Sequence, residues 1–144
     1  GRVTIQYNMA SFARTLGVLL KSGMKIIEAL RITGSTLTNA VYRRDIVEAA
    51  EYVGRGEYVS KYLERNPKQF PMIFVSMLEI GENTGNLNEN LNYLAEYYEN
   101  EVDDFVKNLS SILEPILLLV MGGIVGFIAL SFITPIYQLT RSIG

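Results

Sequence analysis

Residues 115–140, PILLLVMGGIVGFIALSFITPIYQLT, hold no charged side chain, and most of them are apolar. About 20 apolar helical residues cross a bilayer core, and so long an uncharged apolar run reads as a spanning helix instead of a buried core helix. It lies at the C-terminal end of the sequence, not in the N-terminal place of a cleaved signal peptide. Just upstream, residues 87–114 read LNENLNYLAEYYENEVDDFVKNLSSILE. There Leu87, Leu91, Leu94, Tyr98, Val102, Phe105, Leu109 and Ile112 recur every three or four residues, the period of one helix face. Neither glycine nor proline interrupts the run before Pro115. One helix is therefore expected from Leu87 to Ile133, roughly 70 Å at the α-helical rise, with a kink at Pro115. Asn86 as N-cap, with Glu89 three residues on, suits its start. A rigid helix of this kind would couple movements at its two ends, which a flexible linker would not.

Shorter helices precede it. Phe12, Leu16, Leu19 and Leu20 make a first stripe that Ser22-Gly23 stops, and Ile26, Ile27 and Leu30 begin a second. A Thr/Ser/Asn-rich break from Thr33 to Asn39 leads to a third stripe, Tyr42, Ile46, Ala49, Ala50 and Val53, ended by Gly54 and Gly56. A short helix from Tyr58 to Arg65 meets Asn66-Pro67, because the residue before proline avoids the α region. Pro71 suits the first turn of a fifth helix reaching about Ile80. No run alternates with period two for long enough to argue a strand. The expected class is all-α, an antiparallel bundle of about six helices whose last member continues into the membrane.

Composition excludes much chemistry. Of 144 residues none is Cys or His, which removes disulfides, thiolate and imidazole metal sites, and the usual general base. Neither GxxxxGK[ST] nor GxGxxG occurs, so no such loop cradles nucleotide phosphates. No enzyme activity, cofactor or metal is expected. Charge is divided along the chain: residues 1–68 hold eleven Lys/Arg, among them Arg14, Lys21, Arg43 and Arg44, against six acids. Residues 69–114 hold only Lys107 against nine, including Glu79, Glu82, Glu96, Glu99, Glu101, Asp103 and Asp104. Basic and acidic helices could offset one another within the bundle, or the acids could face a basic partner, since fields of one sign steer association. The scattered cations, without interleaved aromatics, argue against nucleic acid.

Several motifs in order resemble the type II secretion system protein F family, the polytopic inner-membrane platform proteins shared by type II secretion systems and type IV pilus machines. Phe12 through Gly23 with Ile27-Glu28-Ala29-Leu30 is similar to the family's opening. Phe70-Pro71 precedes a helix ending in Gly81-Glu82-Asn83-Thr84-Gly85-Asn86-Leu87, like its "GE.sG.L". Tyr97-Tyr98-Glu99 and Glu101-Val102-Asp103 lead to Leu113-Glu114-Pro115, then Gly126-Phe127 and Pro135-Ile136. The resemblance implies two copies of the helical domain and three spans in a whole member. This chain, which begins at Gly1, is expected to be the second copy with the last span. It also implies a cytoplasmic helical domain at 1–111, a span of the bacterial inner membrane at 112–137, and a short tail at 138–144 on the outer side. Charge alone does not orient the span, with Lys107 on one side and Arg141 on the other. Implied partners are a cytoplasmic secretion or pilus assembly ATPase, other inner-membrane assembly proteins, and pilin or pseudopilin subunits. A homo-oligomer is also expected.

Individual residues carry two readings each. Gly81 could end one helix and Gly85 supply a positive-φ turn residue before Asn86; alternatively this corner, with Glu82 exposed, docks a partner protein together with Glu99, Glu101 and Asp103. Divalent-ion binding by that acidic loop matches no EF-hand spacing. Glu114 and Pro115 sit at the membrane edge, at headgroup depth or in contact with another span. Gly122, Gly126 and Ala129 form a small-residue face that permits close helix approach. Besides the platform reading, two others stand: a membrane-anchored dimeric signalling protein, and a transporter or channel subunit using Glu114 as a relay.

Overall fold

Asn8, Met9 and Ala10 are buried ahead of Phe12, so the first apolar stripe begins earlier than Phe12 suggests. Helix α1 spans Arg2–Lys21, and Asn8 is accommodated in it because its Nδ2 donates to the Thr4 carbonyl at 2.7 Å. The computed structural model describes residues 2–143, with side chains described through Ile133. Five more helices follow: α2 (Ile26–Thr36), α3 (Ala40–Gly54), α4 (Val59–Leu63), α5 (Met72–Thr84) and α6 (Leu87–Ile143). Among the described residues there is no strand, and the fold is all-α. Two compact units divide the chain, residues 1–104 and 105–144.

In the first unit the core gathers Phe12, Leu16, Leu30, Ile46, Leu63, Phe70, Phe74, Leu78, Leu91 and Leu94, each at most 1% exposed. Burial of one such side chain is worth about 1.5–3 kcal/mol, so this shared centre decides which face every helix turns inward. Phe12 meets Phe74 at a centroid distance of 5.5 Å, and Phe74 meets Tyr98 at 5.9 Å, joining α1, α5 and α6. Tyr42 donates from its hydroxyl to the Gln69 carbonyl at 2.9 Å, tying α3 to the chain before α5.

Two boundaries differ from expectation. The break placed at Thr33 begins only after Thr36, and Thr33 and Gly34 are buried inside α2. A Cβ on Gly34 would stand 3.1 Å from Val47 Cγ2 and 3.4 Å from Val47 N. Gly34 is therefore a close-approach residue between α2 and α3 and not a breaker. The chain leaves α2 at Leu37, and Asn39 caps α3 by accepting from Val41 N at 3.0 Å and Tyr42 N at 3.3 Å. Pro71 stands at the N-cap of α5, one place before its first helical residue, and the helix runs on to Thr84, past Ile80.

In the second unit α6 is uninterrupted by Pro115, and its large apolar side chains are exposed: Leu118 at 67%, Leu119 at 75% and Phe127 at 73%. The helix is long and apolar enough to cross a membrane. The side chains of the expected tail, Gln138–Gly144 with Arg141, and of Pro135-Ile136 lie outside the described residues.

Candidate docking surface

The corner between α5 and α6 is built from two glycines with separate tasks. Gly81 lies inside α5, where a Cβ would stand 3.0 Å from the Leu87 Cα and 3.2 Å from Asn90 Nδ2. Absence of a side chain there lets the start of α6 come against α5. Gly85 is the C-cap, with φ at +74°, the left-handed conformation that costs glycine nothing. Asn90 completes the corner: its Nδ2 donates to the Met77 carbonyl at 2.8 Å. Sequence reasoning passed over Asn90. Its signal is modest, a polar residue one turn after Leu87 on the side facing α5.

Glu82 is half-buried, not exposed as expected of a docking residue. Its Oε2 accepts from Val59 N at 2.8 Å and its Oε1 from Ser60 N at 3.1 Å. Helix α4 has no capping side chain of its own, because Tyr58 stands at its N-cap. The carboxylate of Glu82 supplies that cap from the next helix, with a charge that suits a helix N-terminus.

The other acids of the proposed site run along α6. Glu99 takes two bonds from Arg14, and these hold its carboxyl below the ordinary glutamate range. Gln6 donates to Glu101 at 3.2 Å. Acidic α6 and basic α1 thus offset one another at Arg14 and Glu99, while the Gln6–Glu101 contact brings no cation to the acid. Asp103 is exposed and, with Tyr7, Arg14, Thr15 and Glu99, lines a cavity of about 290 Å³ beside α1. Among the described residues no three His, Cys, Asp or Glu side chains converge as metal ligands would.

Asp45 on α3 is a different kind of acid. It is 4% exposed, its Oδ2 has no hydrogen-bond partner among the described residues, and burial pushes its pKa up. Arg44, 4.0 Å away and mostly solvent-exposed, only partly offsets that.

In the second unit Glu114 is exposed and Pro115 lies within the helix. Among the described residues a Cβ at Gly122 or Gly126 would meet nothing within 4 Å, and Ala129 is exposed, so they leave the small-residue face uncovered.

The family described as "Type II secretion system (T2SS), protein F" matches residues 12–135. The chain belongs to that family. Within the protein F family it is similar to the type IV pilus assembly protein PilC of Thermus thermophilus, 39% identical over 145 residues, covering 100% of this chain and 36% of that protein. PilC of Myxococcus xanthus is 33% identical over 143 residues, 99% of this chain and 34% of the relative. The type II secretion system protein F of Pseudomonas aeruginosa is 33% identical over 144 residues, 100% of this chain and 35% of the relative. The chain spans about a third of the length of these relatives. The protein F match takes in the Gly81–Leu87 corner, the Arg14–Glu99 pair and the apolar part of α6 down to Pro135.

Proposed function

We propose that this chain is the C-terminal helical domain and last span of an inner-membrane platform protein in a type II secretion or type IV pilus machine. Residues 1–111 would form the cytoplasmic domain, 112–137 the span and 138–144 an outer tail. Family membership supports this, as does an apolar helix able to cross a bilayer. The domain docks the cytoplasmic assembly ATPase through the α5–α6 corner that Gly81, Glu82 and Gly85 shape and through the acidic flank of α6 at Glu99, Glu101 and Asp103. The span meets neighbouring subunits through Glu114, Pro115, Gly122, Gly126 and Ala129.

One observation carries the mechanism. Helix α6 is a single helix from Leu87 to Ile143, and in this reading it carries a displacement of its first turns by the docked ATPase toward the bilayer. There it would help extract pilin or pseudopilin subunits and add them to the growing fibre. The chain serves as scaffold and not as catalyst, consistent with its lack of histidine, cysteine and phosphate-binding loops.

Fractionation tests the reading. Washed inner membranes containing the full-length protein should retain the assembly ATPase, and membranes lacking it should not. The purified protein should release no phosphate from ATP. Turnover proportional to its concentration, without partner, would contradict a scaffold.

A further inference from the structure

We propose that the outer seam between α5 and α6 receives a basic, helix-forming protein segment with apolar anchors, a reading that rests on the docking role above and assigns it a surface. Four large side chains are exposed on these helices: Ile73 at 49%, Ile80 at 53%, Tyr93 at 54% and Tyr97 at 38%. The Asn90–Met77 bond fixes which sides of the two helices face each other. At 100° per residue, Ile73 and Ile80 fall within about 60° of Met77 around α5, and Tyr93 and Tyr97 within about 60° of Asn90 around α6. All four therefore flank one line of contact on its solvent side. The buried Phe74–Tyr98 ring contact continues the same line on its inner side. Exposed apolar side chains on the same side of two packed helices suit an interaction site, and tyrosines are favoured anchors in such sites.

Charge selects the occupant. Residues 69–104 contain eight Asp/Glu and no Lys or Arg. Glu89 and Glu96 lie one step around α6 from the tyrosines, and neither is in an ion pair among the described residues. A second copy docking by the same seam would set these acids against their own equivalents. An anionic lipid surface would be repelled as well. A segment with Lys or Arg around two or three apolar side chains satisfies both the exposed side chains and their rim, the helix-in-groove mode.

The test uses the full-length protein in discs of zwitterionic lipid and a labelled helical peptide with leucines at i, i+3, i+4 and i+7 and lysines elsewhere. The same peptide with glutamates in place of the lysines is the comparison. The lysine peptide should bind, and Ile80→Ser combined with Tyr93→Ser should weaken it about tenfold or more. Glu89→Gln with Glu96→Gln should weaken it and flatten its salt dependence. Met72→Ser, an exposed residue on the flank of α5 away from α6, should leave binding unchanged. Equal binding of the glutamate peptide overturns the proposal. So does unchanged affinity in the Ile80/Tyr93 variant, or self-association through the seam in sedimentation. The docking reading fails separately, if wild-type membranes recruit no assembly ATPase, while the peptide result still decides the seam.

Discussion

Arg14 on α1 grips Glu99 on α6 with two parallel bonds, Nε to Oε1 at 2.8 Å and Nη2 to Oε2 at 3.0 Å, while its Nη1 donates to Asn92 Oδ1 at 2.9 Å. The fork places the first helix in register against the last. Both side chains are about 40% exposed, so water screens the pair.

Arg14→Ala should therefore lower the stability of a fragment of residues 1–111 by only about 0.5–1 kcal/mol, the upper end for a half-exposed bidentate pair. The carboxyl of Glu99 is depressed in the folded state, first by the Arg14 hydrogen bonds. Its contribution is thus complete above the ordinary glutamate pKa and fades as pH falls through the lower folded value. Urea unfolding followed by circular dichroism at neutral and acid pH should show wild type and variant converging in acid. A gap that stays constant with pH would refute the ionic origin.

Glu82→Ala should cost about 1 kcal/mol, the usual loss for a removed helix cap, because Val59 N and Ser60 N lose their acceptors. Glu82→Gln keeps an amide oxygen and should cost less. If Glu82 also docks the ATPase, both variants should weaken its recruitment to membranes. Recruitment that follows only the loss of stability would leave Glu82 a capping residue alone.

The long helix was legible because its signals are local: an uninterrupted three-and-four spacing from Leu87 to Ile112 and the uncharged run after Pro115. The opening turns of α1 were hidden by Asn8, a polar residue in a buried position whose Nδ2 donates to its own helix backbone while its Oδ1 has no hydrogen-bond partner among the described residues. Gly34 and Gly81 look like stops, yet each sits inside a helix where another backbone comes close. That distinction depends on a neighbour distant in sequence. The cap made by Glu82 is also non-local, since its partners lie 22 and 23 residues earlier and no spacing rule connects them.

Asp45→Asn should stabilise the 1–111 fragment at neutral pH. Burial raises the folded-state pKa of Asp45 above its unfolded value, so its favourable contribution exists at low pH and is lost as pH rises through the folded pKa. The variant removes that loss. Unfolding midpoints should separate as pH rises from acid to neutral, the asparagine variant being the more stable. A less stable variant at neutral pH would mean that the carboxylate has a partner worth more than its burial penalty.

Glycines of the two units should respond differently. Gly81→Ala brings a methyl to 3.0 Å from the Leu87 Cα and should destabilise the 1–111 fragment by about 1–3 kcal/mol. Gly122→Ala has open space and should insert normally. Gly122→Leu or Gly126→Leu should reduce crosslinked assembly in membranes more than Leu118→Ala does, because bulk on a small face separates helices. Equal effects would mean that the face points to lipid.

The coupling role of α6 is tested most directly by breaking its continuity without touching its surface residues. A Gly-Gly insertion after Val106 costs about 2 kcal/mol of helix propensity and rotates the flanking faces by about 200°. Four alanines at the same place rotate them by about 400°, nearly a return to register. Secretion or piliation should be measured in cells carrying each insertion, with membrane insertion and ATPase recruitment checked in parallel. Gly-Gly should abolish assembly, four alanines should be milder, and both proteins should still insert and recruit the ATPase. Normal assembly with Gly-Gly would contradict the coupling role and reduce α6 to a tether.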